Sequence, residues 1–131
     1  MSAALTVSLS VTIHGMSAPA IRTDVTLQHR LMHGFADLSR LRILDALRDG
    51  ERRVVDLSDG LGLSRPNTSK HLACLHGCGL VERDPRGREV FYALADGVPD
   101  LLDGIDKLLG RVGDRVAGCE LTTESLNGSR A

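Results

Sequence analysis

Residues 54–80, VVDLSDGLGLSRPNTSKHLACLHGCGL, constrain the fold more than any other part of the sequence. Their first part is apolar at helical spacing and predicts a short helix over residues 54–59, ended by Gly60 and Gly62. A second helical segment follows at once. A short helix, a glycine-containing turn and a second helix predict a helix-turn-helix, a motif that places its second helix in the major groove of DNA.

The second helix of this pair has clear start and stop signals. Ser64 is its predicted N-cap, and Pro66 falls in the first turn, where a missing N–H costs nothing. The helix runs to about Cys78, and Gly79 closes it. Its first two turns carry polar and basic side chains, as a helix that contacts DNA requires.

The flanking segments complete a mainly α fold with a small β component. Residues 24–36 predict a first helix, and Ser39 is the predicted cap of a second helix that Gly50 stops. Residues 80–94 predict two strands around Pro85-Arg86-Gly87, which form a hairpin. The sequence therefore predicts a winged helix-turn-helix of five helices with a β-hairpin wing. The last helix has one apolar stripe, formed by Leu101, Leu102, Ile105, Leu108, Leu109, Val112 and Val116.

With 131 residues, the chain is one domain by length. We predict a winged helix-turn-helix domain for dimerisation and DNA binding over residues 24–117. A polar tail that carries Cys119 follows over residues 118–131. Residues 1–23 form a flexible arm in this interpretation. Apolar and hydroxyl residues alternate over residues 5–13, which leaves an edge strand as the alternative.

The charge distribution permits DNA binding although the net charge is only −1. The middle of the chain is mildly basic and its end is acidic. Asn can bond adenine edges and Arg guanine edges, whereas Lys, Ser and Thr mainly contact phosphates. An ordinary capped helix with a solvated face is the alternative. The candidate DNA-binding residues are Arg65, Asn67, Thr68, Ser69, Lys70 and His71 in the helix, and Arg86 and Arg88 in the wing.

Two of the three cysteines, Cys74 and Cys78, are four residues apart in the predicted second helix of the motif. Residues at i and i+4 share a helix face, with Cβ atoms about 5–6 Å apart, so two thiolates there can hold one soft metal ion. Cysteine is also a common core residue, and simple packing is the alternative. A disulfide between these two cysteines fits poorly within one continuous helix.

Other classes of function find little support in the sequence. The N-terminal stretch lacks the basic start of a signal peptide, and no segment approaches a membrane span, so we expect a cytoplasmic protein with reduced thiols. No base or orienting residue can be assigned to a cysteine nucleophile, and GLGLSRPNTSK lacks the spacing of a phosphate-binding loop. We therefore expect no enzyme. With no Trp, one Tyr and two Phe, a site of stacked aromatic rings for an organic cofactor is not expected.

Four short motifs follow one another within LSRPNTSKHLACLHGCGLVERDPRGREVFYAL: Ser69-Lys70-His71-Leu72, Gly79-Leu80-Val81, Gly87-Arg88 and Tyr92-Ala93-Leu94. This segment resembles the winged-helix core of the ArsR/SmtB metal-responsive repressors, and SRLRILDAL is similar to the family's second helix. The resemblance extends over about residues 27–119. It implies a homodimer, built on the first and last helices, that occupies double-stranded operator DNA and leaves it when metal binds. The expected operator is an imperfect inverted repeat.

The resemblance also implies a metal site. Arg53 and Val55 occupy the positions of the cysteines that one type of family sensor has at its third helix, so that site is absent. Cys74, Cys78 and Cys119 are instead similar to the three ligands of the cadmium- and lead-sensing branch. Three thiolates suit Cd(II) or Pb(II), and Zn(II) would need a fourth ligand, such as a histidine or water. A thiol-redox-sensing or ligand-independent winged-helix regulator is the alternative function.

Overall fold

The computed structural model describes residues 22–119. The predictions for residues 1–21 and 120–131, most of the arm and of the tail, lie outside the described residues. The chain divides into two units, Met1–Met32 and His33–Ala131, and the first described helix spans the division. The described elements are α1 (Val25–Phe35), α2 (Leu38–Ala46), a 3-10 turn (Leu47–Asp49), β1 (Arg52–Arg53), α3 (Val54–Leu61), α4 (Arg65–Gly77), β2 (Val81–Arg86), β3 (Glu89–Leu94) and α5 (Val98–Ala117).

The core of the second unit is built from the inner faces of its helices and from the start of the wing. Ile43 and Leu44 of α2 and Leu57 of α3 are almost completely buried, as are Leu72 and Leu75 of α4. The spacing of three residues between Leu72 and Leu75 keeps both on one face of α4. Helix α4 is thus fixed by its inner face, and its outer face remains open. The other buried apolar residues are Phe35, Leu47, Leu80, Val81, Tyr92, Val98 and Leu102.

Two helix boundaries differ from the predicted ones. The carboxylate of Asp37 accepts a hydrogen bond from the backbone N–H of Arg40 at 2.9 Å and caps α2. The prediction of Ser39 as this cap is wrong, because Ser39 already lies inside the first helical turn. Helix α3 continues through Gly60, the first of the two glycines predicted to end it, to Leu61. The second, Gly62, is confirmed as its C-cap, and its φ of 68° supplies the left-handed conformation that this position favours.

The wing is the β2–β3 hairpin of a three-stranded antiparallel sheet with strand order β1-β3-β2. Strands β2 and β3 pair as far as Arg86 opposite Glu89, so the turn consists of Gly87 and Arg88. The predicted turn was centred too early, since Pro85 and Arg86 both belong to β2. Proline is tolerated there because β2 is an edge strand. Gly87 has a φ of 62°, which the first residue of a two-residue hairpin turn favours.

Helix α5 is packed into the core through its first half. Leu102 is 4% exposed. Close by, Nη2 of Arg48 donates to a carboxylate oxygen of Asp103 at 2.7 Å and of Asp106 at 2.8 Å. The predicted apolar stripe is therefore buried at its start and open at its end. The exposed apolar residues of its second half are Leu108 (55%), Leu109 (43%) and Val116 (42%). None of the described helices is long and apolar enough to cross a membrane.

Candidate nucleic-acid interface and thiol pair

The outer face of α4 carries four of the predicted DNA-binding side chains. Arg65, Asn67, Ser69 and Lys70 are all exposed. The predicted cap is confirmed, because the hydroxyl oxygen of Ser64 accepts a hydrogen bond from the backbone N–H of Asn67 at 3.2 Å. Since the inner face of α4 is fixed in the core, these four side chains are accessible to a partner outside the protein.

Thr68 does not belong to this exposed set. Its side chain is fully buried, and its hydroxyl donates a hydrogen bond to the carbonyl oxygen of Ser64 at 2.8 Å. Thr68 precedes Leu72 by four residues and so lies on the same inner face of the helix. The interpretation of Thr68 as a DNA-binding residue is wrong, because a nucleic acid cannot reach the side chain.

His71 lies at the edge of the outer face of α4. Its side chain is 15% exposed, and Nδ1 lies 3.9 Å from a carboxylate oxygen of Asp37, the residue that caps α2. The imidazole therefore faces the start of α2 more than it faces solvent. A DNA contact by His71 would involve a small part of the ring.

The two predicted wing arginines have different surroundings. Arg88 lies exposed in the turn, and within residues 22–119 no hydrogen bond or ion pair holds its side chain. Arg86 donates from Nη1 and Nη2 to the carboxylate of Glu51, at 2.5 and 2.8 Å, and from Nε to Asp84 at 2.8 Å. Its guanidinium carbon also lies 4.4 Å from the centroid of the Phe91 ring. Arg86 is thus occupied by the protein itself, whereas Arg88 is available to a partner.

A second ion-pair cluster joins β1 to α3 and β3. Nε and Nη2 of Arg53 each contact the carboxylate of Asp56 at 3.0 Å, and Nη1 contacts Glu89. The hydrogen bonds from Arg53 hold the pKa of Asp56 below its usual range, and those from Arg86 do the same to the pKa of Glu51. Our sequence reasoning missed both clusters, because each includes a contact between residues that are distant along the chain.

Cys74 lies on the outer face of α4, and Cys78 is the C-cap of this helix. Both side chains are exposed, and no disulfide joins them. Cys119 follows α5 and is half-buried, and its backbone N–H donates to the carbonyl oxygen of Val116 at 3.2 Å. In the part of the chain that the structure describes, no group of three His, Cys, Asp or Glu side chains is arranged to hold a metal ion. The structure therefore places two of the three predicted ligands on one helical turn and does not gather all three.

Comparison with known proteins identifies the family of this chain. Residues 37–83 match the family described as bacterial regulatory protein, arsR family. The HTH-type transcriptional regulator CmtR of Mycobacterium bovis is 54% identical over 67 residues, which make up 51% of this chain and 57% of that regulator. The match thus spans a little over half the length of this curated relative.

Two solved structures confirm the predicted winged helix-turn-helix. The NMR structure of the cadmium metal-sensor CmtR from Mycobacterium tuberculosis is 46% identical, with a TM-score of 0.52 over 64% of this chain and 85% of that one. The homodimeric winged helix-turn-helix DNA-binding domain Mb0332 from Mycobacterium bovis is 26% identical, with a TM-score of 0.58 over 72% of this chain and 92% of that one. The resemblance inferred from the sequence motifs is confirmed as well. The chain belongs to the arsR family of bacterial regulatory proteins.

Proposed function

We propose that this chain is a metal-responsive transcriptional repressor. A homodimer occupies operator DNA and leaves it when a thiophilic ion such as Cd(II) or Pb(II) binds. The observation that carries the proposal is the position of two exposed thiols at the end of the helix that exposes Asn67 and Lys70: Cys74 lies in α4 and Cys78 is its C-cap. A ligand bound by these thiols acts directly on the helix that contacts DNA.

Helix α4 supplies the sequence-reading contacts in this proposal. We assign Arg65 and Asn67 to base edges in the major groove, since Arg pairs with guanine and Asn with adenine. Ser69 and Lys70 contact phosphates, and Arg88 extends the contact from the wing to the flanking backbone. Affinity should therefore fall steeply with salt, because each phosphate contact releases counterions.

The dimer places two copies of α4 on the DNA. The homodimeric state of the Mb0332 domain supports this assembly. The exposed end of the α5 stripe, with Leu108 and Leu109, offers an apolar surface of the kind that a second protomer covers. Two such helices about 34–36 Å apart select an imperfect inverted repeat in double-stranded DNA.

The donor atoms favour a soft ion as the inducer. Thiolate sulfur selects soft or borderline ions over Mg(II) and Ca(II), which take oxygen ligands. Cys74 and Cys78 supply two sulfurs, and we assign Cys119 as the third ligand because it lies just beyond α5. The cadmium metal-sensor among the related structures supports Cd(II) as the ion to test first.

Release of DNA requires that the ion bind the DNA-free arrangement more tightly than the DNA-bound one. Couplings of this kind are typically about 1–3 kcal/mol, which changes DNA affinity about 5- to 150-fold. Since Cys74 belongs to α4, Cys78 is its C-cap and Cys119 follows α5, closing the site requires Cys119 to approach the end of α4. That approach links the end of the proposed dimer helix to the DNA-contacting helix.

Titration of the reduced protein with Cd(II) tests the proposal through two readouts. Ligation by thiolates produces a sulfur-to-metal charge-transfer band, and fluorescence anisotropy of a labelled duplex, selected by the protein from random-sequence DNA, reports release. We expect saturation at about three thiolates per ion. Cys74→Ser and Cys78→Ser should abolish Cd(II)-dependent release, and Cys119→Ser should shift it to higher Cd(II). His76→Gln, on the same helix, is the matched control and should respond like wild type.

Two other outcomes identify other functions, and a third contradicts DNA binding itself. Release by peroxide but not by Cd(II) would make the chain a thiol-redox regulator. DNA binding that responds to neither agent would make it a ligand-independent regulator. A wild-type protein that selects no duplex would contradict the assignment of α4 to DNA.

A further inference from the structure

A forked ion pair joins the segment before β1 to the wing. The carboxylate of Glu51 accepts hydrogen bonds from Nη1 and Nη2 of Arg86, at 2.5 and 2.8 Å, across a separation of 35 residues in the chain. Nε of the same guanidinium donates to Asp84, and the guanidinium lies over the ring of Phe91. The Glu51–Arg86 pair is called the wing clamp below.

The wing clamp uses the donor directions that a phosphate would need. A guanidinium has five N–H groups in one plane, and here the two Nη atoms contact Glu51 while Nε contacts Asp84. The ring of Phe91 covers one face. Both two-atom edges of the guanidinium are thus occupied, and a phosphate could form two parallel hydrogen bonds with Arg86 only by displacing a carboxylate. Arg83, by contrast, is exposed, and within the described residues no hydrogen bond or ion pair holds it.

The wing clamp connects the hairpin to the segment that leads into the helix-turn-helix. Glu51 precedes β1, which leads directly into α3, the first helix of the helix-turn-helix. Arg86 lies at the far end of β2, the edge strand of the sheet. A second ion pair, between Arg53 and Glu89, joins β1 to β3 in the same region. These contacts tie the tip of the hairpin to the segment that leads into the helix-turn-helix.

We propose that Glu51 and Arg86 position the wing for DNA, and that Arg86 acts as a positioning residue and not as a phosphate ligand. This inference rests on the proposed DNA-binding function. The two side chains are 43% and 47% exposed, and exposed ion pairs contribute little to folding stability. We therefore expect loss of the wing clamp to lower DNA affinity more than it lowers thermal stability.

The direction in which Glu51→Gln changes DNA affinity shows whether Arg86 is a phosphate ligand or a positioning residue. Glu51→Gln removes a negative charge near the proposed DNA surface and frees Arg86. If Arg86 were a phosphate ligand, this change would strengthen binding and steepen its salt dependence. If the clamp positions the wing, the same change weakens binding, because the wing no longer holds Arg88 against the backbone.

Full-length wild type and variants are compared on a duplex that the wild type selects from random-sequence DNA, over a series of salt concentrations. We expect Glu51→Gln to weaken binding about threefold or more, as residues in one ion-pair network do when uncoupled. The slope of log K against log salt should become shallower by about one. Glu82→Gln is the matched control, because Glu82 is an exposed carboxylate on β2 without an ion pair in the described residues. It should leave affinity unchanged or raise it.

Arg86→Lys provides a second, independent variant. Lysine keeps the charge and still binds phosphate, but it cannot form the fork. We expect Arg86→Lys to bind as weakly as Glu51→Gln, and the double variant to bind no more weakly than either, since all three lose the same contact. Cooperative thermal unfolding near the wild-type Tm shows that each variant is folded.

If either folded variant binds DNA as tightly as wild type or more tightly, the positioning role of the wing clamp is wrong and Arg86 is a phosphate ligand. A wild-type protein that selects no duplex overturns the proposed function instead. The two failures are therefore distinguishable in the same set of measurements.

Discussion

The backbone N–H of Cys78 donates a hydrogen bond to the carbonyl oxygen of Cys74 at 3.1 Å, so the helical turn between the two thiols is intact. Both side chains are exposed on this turn. Leu75, which follows Cys74 directly, is fully buried and fills the core at this level. The alternative in which the cysteines serve as small core residues therefore fits neither Cys74 nor Cys78.

Replacing the two exposed thiols should leave folding stability nearly unchanged. We expect Cys74→Ala and Cys78→Ala each to change the free energy of unfolding by less than about 0.5 kcal/mol. Leu75→Ala should lower it by about 2–5 kcal/mol, because the change leaves a cavity in the core. Urea unfolding of the reduced, metal-free protein measures all three variants. A loss similar to that of Leu75→Ala in either cysteine variant would show that the thiol is packed.

The cap of α2 can be tested with two neighbouring residues. Asp37→Ala should lower the free energy of unfolding by about 0.5–2 kcal/mol, because the N–H of Arg40 loses its side-chain acceptor. Ser39→Ala is the matched control and should have little effect. Asp37→Asn keeps the cap and removes the charge near His71, so it separates capping from that contact. Equal losses in the Asp37→Ala and Ser39→Ala variants would contradict the assignment.

The fork between Glu51 and Arg86 predicts a particular dependence of stability on pH. The hydrogen bonds from Arg86 lower the pKa of Glu51 from its ordinary value of 4.5, so the unfolded chain takes up this proton at higher pH than the folded protein does. The stabilisation is therefore complete above about pH 4.5 and is lost as the pH falls through the folded-state pKa.

Urea unfolding of wild type and Glu51→Gln between about pH 6 and pH 3 measures this contribution. The difference in unfolding free energy between the two proteins should shrink as the pH falls through the lower part of this range. Glu82→Gln should follow the wild-type pH dependence. Parallel curves for wild type and Glu51→Gln would show that the fork adds no measurable stability to the folded protein.

The exposed end of the α5 stripe predicts a variant that separates assembly from folding. Leu108 is 55% exposed in the protomer, so Leu108→Glu should leave the protomer folded while placing a charge in the proposed dimer interface. We expect sedimentation equilibrium to give a monomer and DNA affinity to fall sharply. Lys107→Glu, at the preceding exposed position, is the control for the added charge. A Leu108→Glu dimer as stable as the wild type would place the interface elsewhere.

The sequence predicted the helix-turn-helix well, because the caps, turn glycine and apolar spacing that define it lie close together in the chain. Ser64 is confirmed as a cap, and the hairpin of the wing is confirmed, although its turn lies at Gly87 and Arg88 and not at the predicted Pro85-Arg86-Gly87. Asp37 and Ser39 are both short polar residues at a helix start, and sequence alone does not decide between them. Thr68 lies in a polar stretch, so the sequence predicts it on the outer face of α4. In the structure its side chain is buried, and its hydroxyl donates a hydrogen bond to the carbonyl oxygen of Ser64.

Ion pairs between residues that are distant along the chain could not be predicted from the sequence pattern. Arg86 was assigned to DNA because it is basic and close to the wing turn, yet its partner Glu51 lies 35 residues away. Only the register of β2 and β3, together with the path of the segment before β1, brings the two charges together. The same limit applies to the metal ligands. The helix predicts the pairing of Cys74 with Cys78, and nothing local predicts where Cys119 goes.

Leu108 and Leu109 are exposed to solvent in the protomer, so the stability of this protein is expected to depend on its concentration. Association through this surface, as proposed, would add to the stability of the folded protomer by mass action, so that stability would rise with concentration. At low abundance, solitary chains would be the ones that proteases and aggregation remove first. Under the proposed function, the concentration of the protein, as well as that of the metal ion, then sets how fully the operator is occupied.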